Sequence, residues 1–232
     1  MNTNPQDRLP DPEGQAVAPL KAATSPYHRY NLRRNPFGEL AQQERAELAV
    51  VEIQDDWLAF LGRKRVVLQF IGPCGHGKTT HLLAIQQILF SGNAEYVYLP
   101  EDGPQPRVGS HRPMIVDEAQ RLSFWQLRRI LRMGGPLVFG THNDLSVAIR
   151  RCGLEVETID VAAGSSPERL VEILNRRVES SRLSGGTIPL ISVDQALQFQ
   201  NQFGANVRAI EHFLYDQFQR CVLEKTVWPP VS

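Results

Sequence analysis

The run Gly-Pro-Cys-Gly-His-Gly-Lys-Thr is the part of the sequence best suited to bind a strongly charged ligand. It consists of Gly72, Pro73, Cys74, Gly75, His76, Gly77, Lys78 and Thr79, and Thr80 follows it. Glycines let successive backbone N–H groups turn inward around phosphate oxygens, and a helix beginning at the lysine directs its first N–H groups to the same oxygens. In this pattern the lysine reaches the β- and γ-phosphates and the threonine hydroxyl binds Mg²⁺. The loop therefore predicts a site for a nucleoside triphosphate with Mg²⁺. Cys74 occupies a variable position as a filler, and a redox role for it is the less favoured alternative.

Two carboxylates, Asp117 and Glu118, end a short apolar run at residues 114–116. In a parallel sheet the end of that strand lies beside the phosphate loop, so Asp117 would hold Mg²⁺ through water. Glu118 points elsewhere and is placed to orient and deprotonate the water that attacks the γ-phosphate. The pair favours hydrolysis over binding alone. The alternative is that both carboxylates only cap the helix that follows.

A further strand pattern ends in Thr141, His142 and Asn143. We expect one of these polar side chains, Thr141 first, to bond the γ-phosphate or the attacking water. With Asp144 the segment also resembles the guanine-specificity element of GTPases. The lysine of that element is replaced by His142, and Gln120 stands where a GTPase has glycine, so the sequence favours ATP over GTP.

Apolar runs alternate with helical patterns through the first two thirds of the chain. The runs lie at residues 65–71, 96–99, 114–116, 137–139 and 156–161, and helical patterns lie at 39–61, 78–90 and 123–133. Apolar runs of this kind are typical of strands buried on both faces of a parallel sheet, with helices covering those faces. We therefore predict an α/β fold of the P-loop NTPase type, with a five-stranded parallel sheet sandwiched by helices.

The chain divides into three predicted parts. Residues 1–26 are rich in proline and poor in apolar side chains, which predicts a disordered tail. Residues 27–163 contain the predicted α/β domain with an N-terminal linker. Residues 164–232 have helical patterns only, with Ser166 and Ser192 as caps, and predict a small helical lid.

The composition limits the class of protein. Lys plus Arg and Asp plus Glu both number 25, so no overall field favours nucleic acid or an anionic membrane. The three cysteines, Cys74, Cys152 and Cys221, lack metal-ligand spacing and are typical of reduced thiols. The N-terminus has no apolar signal-peptide core, and no stretch approaches the roughly 18 apolar residues of a membrane span. We expect a cytoplasmic protein with no membrane span.

Together these motifs resemble the AAA+ ATPases over residues 27–224. The resemblance depends on the phosphate loop, the Asp-Glu-Ala-Gln segment that begins at Asp117, the polar strand end at Thr141 and the helical lid. It is closest to the members that act as transposition helpers or in secretion, which share the Asp-Glu-Ala-Gln segment. The resemblance implies Mg²⁺-dependent ATP hydrolysis by a nucleotide-switched homo-oligomer that serves as a molecular helper.

The resemblance also implies roles for single residues. Arg208 matches the second sensor arginine of the lid, and Arg150 or Arg151 matches the arginine finger that enters a neighbouring subunit's site. For that pair a solvated helix end is an equal alternative. Phe37 belongs to a linker that passes the adenine. The short turn at residues 134–136 departs from the long pore loops of protein-unfolding members, which argues against an unfoldase.

Two other functions stay open from the sequence. In one, the protein is a DNA-associated helper in which ATP drives assembly on duplex DNA and local basic residues contact phosphates. These residues are Arg29, Arg33, Arg34, Arg63, Lys64 and Arg65. In the other, the protein is a regulator or scaffold that holds ATP with negligible turnover. The sequence does not identify a protein partner.

Overall fold

A computed structural model of the chain describes residues 25–163 and 166–228. The predicted tail at residues 1–26 lies almost entirely outside the described residues. Five strands form one sheet, and they are β1 (Val66–Ile71), β2 (Glu95–Tyr98), β3 (Met114–Asp117), β4 (Leu137–Thr141) and β5 (Glu155–Asp160). Their order is β2-β3-β4-β1-β5, and every neighbouring pair is parallel. The α/β class and the five-stranded parallel sheet are confirmed.

The register of the sheet brings three strand ends together. Ile71 at the end of β1 pairs with Thr141 of β4, and Asp117 at the end of β3 pairs with Gly140 of β4. The residues that follow β1, β3 and β4 therefore emerge side by side at the carboxyl edge. In open parallel sheets this edge is where ligands bind.

Helices cover both faces of the sheet. On one face, α2 (Asp55–Leu61) and α3 (Lys78–Ile88) pack on the side chains of Leu68, Phe70 and Ile115. On the other, α4 (Phe124–Met133) and α5 (Ser146–Arg151) pack on Met114, Val116 and Phe139. Alternate residues of β3 thus point to opposite faces, as the pleat of a strand requires.

The C-terminal helices have a core of their own. They are α6 (Pro167–Ser180), α7 (Val193–Phe203) and α8 (Val207–Glu224). The hydroxyls of Ser166 and Ser192 accept N–H groups of the first turns of α6 and α7, so both predicted caps are confirmed. A 3-10 turn at Pro26–Tyr30 packs on this core. The division into an ATPase domain and a lid stays a prediction.

The prediction of one helix over residues 39–61 is wrong. The segment forms two short helices, α1 (Gln42–Glu47) and α2, and residues 48–54 between them are not helical. β-branched side chains such as Val50 restrict a helix at this point. The carbonyls of Ala49 and Val50 accept hydrogen bonds from Arg176 and Arg169 of α6. Tertiary contacts to α6 therefore replace helical hydrogen bonds here.

Across residues 25–163 and 166–228, none of the helices has both the length and the apolar character that crossing a membrane requires.

Candidate functional site

The glycine-rich loop makes a tight turn between β1 and α3. Gly75 and Gly77 have φ angles of +85° and +89°, in the left-handed region that favours glycine. A Cβ atom added to Gly75 would lie 2.1 Å from Oδ1 of Asn206, the residue that caps α8. Gly75 therefore lets the loop and the start of α8 approach closely, and no larger residue fits there.

Lys78, the first residue of α3, is directed back into the loop. Its side-chain ammonium donates hydrogen bonds to the carbonyl oxygens of Gly72, at 2.8 Å, and Pro73, at 2.9 Å. Burial lowers the pKa of Lys78, and the nearby charge of Glu118 opposes that shift. The ammonium is thus a cation that the loop itself holds at the carboxyl edge of the sheet.

A hydroxyl and a carboxylate link the loop to the end of β3. Thr79 Oγ1 donates to Asp117 Oδ2 over 2.8 Å, and the Tyr96 hydroxyl donates to the same oxygen over 2.9 Å. Burial raises the pKa of the Asp117 carboxyl, and these two hydrogen bonds oppose the shift. Hydroxyl and carboxylate oxygens are the hard ligands that Mg²⁺ prefers. Tyr96 did not figure among the sequence candidates.

Gly140 makes room for this carboxylate. A Cβ atom at this position of β4 would lie 2.8 Å from Asp117 Oδ1 and 2.8 Å from a methyl carbon of Leu82 in α3. Only a residue without a side chain lets β4 pass beside Asp117 and α3 at this distance.

Glu118 reaches the cleft with its side chain held at one oxygen. Gln120 Nε2 donates to Glu118 Oε2 over 2.6 Å, and nitrogens of His142 and Arg121 lie 3.5 Å and 3.6 Å from the same oxygen. Arg121 also donates to the Leu99 carbonyl. The second carboxylate oxygen, Oε1, forms none of the contacts described for this residue. Arg121 was not predicted from the sequence as part of the site.

The three polar residues after β4 occupy different positions. Thr141 is fully buried, and its Oγ1 donates to the Asn143 carbonyl at 2.9 Å while accepting the Asn143 N–H at 3.2 Å. The Thr141 hydroxyl therefore closes its own turn. His142 lies on the cleft wall beside Glu118. Of the three candidates, His142 is the one that the fold brings to the acidic pair.

Asp144, the residue that suggested a guanine site, lies between β4 and α5 and is held by hydrogen bonds within the fold. Its Oδ1 accepts the Ser146 N–H at 2.8 Å and the side-chain amide of Gln69 at 2.6 Å. Hydrogen bonds from Ser146 and Gln69 hold the pKa of Asp144 below its usual value. Gln69 is fully buried in β1 and also donates to Thr158. The Asp144 carboxylate thus joins α5 to β1.

These elements surround a cleft of about 400 Å³, a volume in the usual range for small-molecule sites. Its polar lining includes the loop, Glu118 and His142. Its apolar side chains come from the segments on either side of α1, the residue after β5, α6 and α8, and they are Leu40, Leu48, Ala49, Val50, Val161, Ile173 and Val207. Charged side chains of α1, α6 and α8 also line the cleft, namely Arg45, Arg169, Arg177 and Glu211, so this part of the lining combines apolar and charged groups.

Arg208 lies on the wall that the C-terminal helices contribute. Its guanidinium Nη1 is 3.4 Å from the Cys74 sulfur, and its backbone N–H donates to the Gly75 carbonyl at 3.4 Å. The first turn of α8 therefore rests on the glycine-rich loop. His76 and Thr80 also line the cleft.

Three predicted residues lie away from the cleft. Phe37 is buried in the C-terminal helical core, with its ring 6.2 Å from that of Trp228. The linker segment that lines the cleft begins at Leu40 instead. Arg150 and Arg151 are exposed at the end of α5. A role for either arginine in a neighbouring subunit stays a prediction.

The basic residues considered for DNA contact mostly have partners in their own chain. Arg34 pairs with Glu44 at 2.5 Å, and Arg63 pairs with Glu155. Arg65 donates to the Cys152 carbonyl at 2.7 Å. These guanidinium groups already have intramolecular acceptors, which weakens the case for a phosphate contact through them.

A self-contained metal centre is not found among residues 25–163 and 166–228, where no three His, Cys, Asp or Glu side chains come together. Magnesium sites in nucleotide enzymes need fewer protein ligands, because phosphates and water supply the others. Thr79 and Asp117 suit that arrangement.

No model of a known protein family matches the chain, and a search of curated proteins gives no match. Membership of the AAA+ family therefore stays a prediction from the motifs.

Proposed function

We propose that this protein binds Mg²⁺-ATP in the cleft and hydrolyses it, as a P-loop ATPase of the AAA+ type. The observation that carries the proposal is the 2.8 Å hydrogen bond between the Thr79 hydroxyl and the Asp117 carboxylate. It joins the start of α3 to the end of β3, with the Lys78 ammonium and the Glu118 carboxylate on the same cleft. A hydroxyl, a carboxylate, an ammonium and a second carboxylate at one sheet edge are the groups that phosphoryl transfer from ATP requires.

The loop would bind the triphosphate. N–H groups of the loop and of the start of α3 would favour negative charge there, and Lys78 would exchange its two loop carbonyls for β- and γ-phosphate oxygens. Thr79 and Asp117 would hold Mg²⁺, which when bound neutralises charge on the β- and γ-phosphates.

Glu118 would act as the general base. It would accept a proton from a water molecule as the water oxygen bonds to the γ-phosphorus. The bond from that phosphorus to the β–γ bridging oxygen breaks, so that ADP and phosphate leave. Gln120 fixes the orientation of the Glu118 carboxylate, and His142, 3.5 Å from the same carboxylate, would respond to the γ-phosphate.

The apolar side chains of the cleft would contact the base. Leu48, Val50 and Val207 offer surfaces for a flat ring. ATP is favoured over GTP because Asp144 is committed to Gln69 and Ser146. Arg208 would reach the phosphates when the C-terminal helices close. A cytoplasmic, nucleotide-switched homo-oligomer with Arg150 or Arg151 acting between subunits is part of the same proposal.

Phosphate release by a Glu118→Gln variant tests the proposal, with calorimetry to follow Mg²⁺-ATP binding. We expect binding close to wild type and a turnover lower by about 10²–10⁴-fold, the usual contribution of a general base. Glu155→Gln is the matched control, because Glu155 also pairs with an arginine, Arg63, but does not line the cleft. Equal turnover by wild type and Glu118→Gln would contradict the mechanism. Binding with no turnover in the wild type would favour the regulator.

A further inference from the structure

His81 of α3 lines the cleft and has no role in the proposed mechanism. It lies one turn after Lys78 on the same helix. Its imidazole packs on the ring of the fully buried Phe70, with ring centroids 5.2 Å apart. Its backbone N–H donates to the Gly77 carbonyl at 3.0 Å, and its Nδ1 lies 2.9 Å from the same oxygen. The orientation of the imidazole is therefore fixed by the fold.

The contact with Gly77 also determines which ring nitrogen carries the hydrogen. A carbonyl oxygen only accepts hydrogen bonds, so Nδ1 of His81 donates to it. In a neutral imidazole the other nitrogen, Nε2, then has no hydrogen and is an acceptor. Burial holds the pKa of His81 below its usual range; the hydrogen bond to Gly77 opposes this shift, and the charge of Arg169 adds to it. Above neutral pH the cleft therefore contains a neutral imidazole with Nε2 as its acceptor.

Nε2 of His81 is available to a ligand. In the part of the chain that the structure describes, the buried polar side-chain atoms without a hydrogen-bond partner belong to Trp57, Glu95 and Trp228. Nε2 has no described partner either, but it is not among these buried atoms, so solvent reaches it. Since His81 lines the cleft, this nitrogen is an acceptor that a hydrogen-bond donor in the cleft can use.

Arg169 of α6 connects His81 to the segment proposed to contact the base. Its guanidinium donates to the Val50 carbonyl at 3.3 Å, and its charge acts on the His81 imidazole. Val50, Arg169 and His81 all line the cleft, and α1, just before Val50, packs against α3. A base that contacts Val50 can therefore also contact His81, while the triphosphate binds the loop one helical turn away.

We infer that Nε2 of His81 accepts a hydrogen bond from the exocyclic amino group of the base and thereby selects adenine nucleotides. The inference rests on the proposed nucleotide site and names the residue that gives this site its base specificity. Adenine has an amino group at C6, whereas guanine has a carbonyl oxygen there. The amino group donates to Nε2, but a carbonyl oxygen would place two acceptors against each other. His81 is thus a specificity-determining residue of the cleft.

A purely structural role for His81 is the alternative. In that role Nδ1 holds the Gly77 carbonyl and Nε2 binds only water. His81→Asn separates the two roles, because the side-chain N–H₂ of asparagine can replace Nδ1 as the donor to Gly77. The shorter asparagine side chain has no acceptor at the place of Nε2. The variant should therefore keep the loop contact and lose the selection of the base.

Calorimetry of the full chain with three nucleotides and Mg²⁺ tests the inference, at about pH 8, above the usual pKa of histidine. The nucleotides are ATP, purine riboside triphosphate, which lacks the amino group, and inosine triphosphate, which has a carbonyl oxygen in its place. Wild type should bind them in that order of decreasing affinity. ATP should bind about tenfold or more tightly than inosine triphosphate, because the latter leaves Nε2 facing another acceptor. His81→Asn should bind all three with nearly equal affinity.

His212→Asn is the matched control, because His212 is exposed on α8 and does not line the cleft. It should keep the wild-type order of affinities. His81→Gln is a second variant, whose amide can offer either an oxygen or an N–H₂ to the base, so it should also narrow the difference between ATP and inosine triphosphate. Equal affinity of wild type for the three nucleotides, or the wild-type preference in either folded His81 variant, overturns the inference and leaves the ATP site in place. A wild type that binds none of the three overturns the proposed function as well.

Discussion

The cleft lies between two walls that differ in their hydrogen bonds. The strand ends and the glycine-rich loop form the sheet wall, and the C-terminal helices form the helical wall. On the sheet wall, the Asp117 carboxylate is fully buried and accepts three hydrogen bonds of 2.8 to 3.0 Å. On the helical wall, Arg208 of α8 meets the loop through an N–H to sulfur contact and a backbone hydrogen bond, both of 3.4 Å. Short bonds between buried groups therefore hold the Asp117 carboxylate, whereas two long bonds hold Arg208 against the loop.

The difference predicts that the Asp117 carboxylate is already in place, whereas a ligand can change the position of α8. Each Asp117 oxygen has a donor within the chain, so this carboxylate is already oriented. The contacts of Arg208 are weak, because hydrogen bonds lose strength at such distances. Binding can therefore shift α8 against the loop at small cost. We expect substitutions on the sheet wall to abolish binding and those on the helical wall to weaken it.

The largest effect should come from Lys78→Ala. Removing one partner of a buried charged contact costs about 2–5 kcal/mol, and each 1.4 kcal/mol is about tenfold in affinity. We expect Mg²⁺-ATP affinity to fall by about 10²-fold or more in calorimetry. Lys64→Ala, at an exposed lysine before β1, is the matched control and should bind as wild type does. If Lys78→Ala binds Mg²⁺-ATP as tightly as wild type does, the loop is not the phosphate site.

Arg208→Ala should have a smaller effect on the same measurement. Its guanidinium is exposed and its present contact to Cys74 is long, so we expect about tenfold weaker Mg²⁺-ATP binding with little change in Tm. Arg220→Ala on the same helix serves as the comparison. If Arg208→Ala loses as much affinity as Lys78→Ala, the two walls are not distinct in function.

The smallest effect should be the change in Tm that Asp117→Asn causes, measured without nucleotide or Mg²⁺. Burial raises the pKa of Asp117 above its ordinary 3.8, so folding favours the protonated form and the wild type loses stability as pH rises through the folded pKa. An amide can keep all three hydrogen bonds, because the Thr79 and Tyr96 hydroxyls can accept as well as donate.

Thermal unfolding across pH measures this effect. Asp117→Asn should raise the Tm by about 2–4 °C near neutral pH, and the gain should disappear as pH falls toward 3.8. Adding Mg²⁺-ATP should stabilise the wild type and not the variant. A lower Tm for Asp117→Asn near neutral pH would mean that the buried carboxylate stabilises the fold.

Local patterns in the sequence were enough to predict the sheet and a glycine-rich turn between β1 and α3. The apolar run at residues 65–71, the glycines after it and the carboxylates after residues 114–116 each signal their own structure. The caps at Ser166 and Ser192 are equally local. Features of this kind depend on a few consecutive residues, so they can be predicted from a single sequence.

Contacts between distant segments were not predictable in the same way. Tyr96 reaches Asp117 only because β2 pairs with β3. The break after α1 depends on arginines of α6, more than a hundred positions along the chain. The position of Phe37 depends on the helical core. Gln69 could be recognised in the sequence as a polar residue in an apolar strand. Its hydrogen-bond partners could not be predicted.

The backbone of Glu118 has a φ of +61°, a left-handed conformation that side chains with a Cβ atom adopt at a cost of roughly 1–2 kcal/mol. Glycine would occupy this position without that cost. Screening random variants for heat resistance alone should therefore enrich Glu118→Gly. The selected variants should be more thermostable and should lack the proposed ATP hydrolysis. At this position thermal stability is lower because the residue is a glutamate with its carboxylate on the cleft.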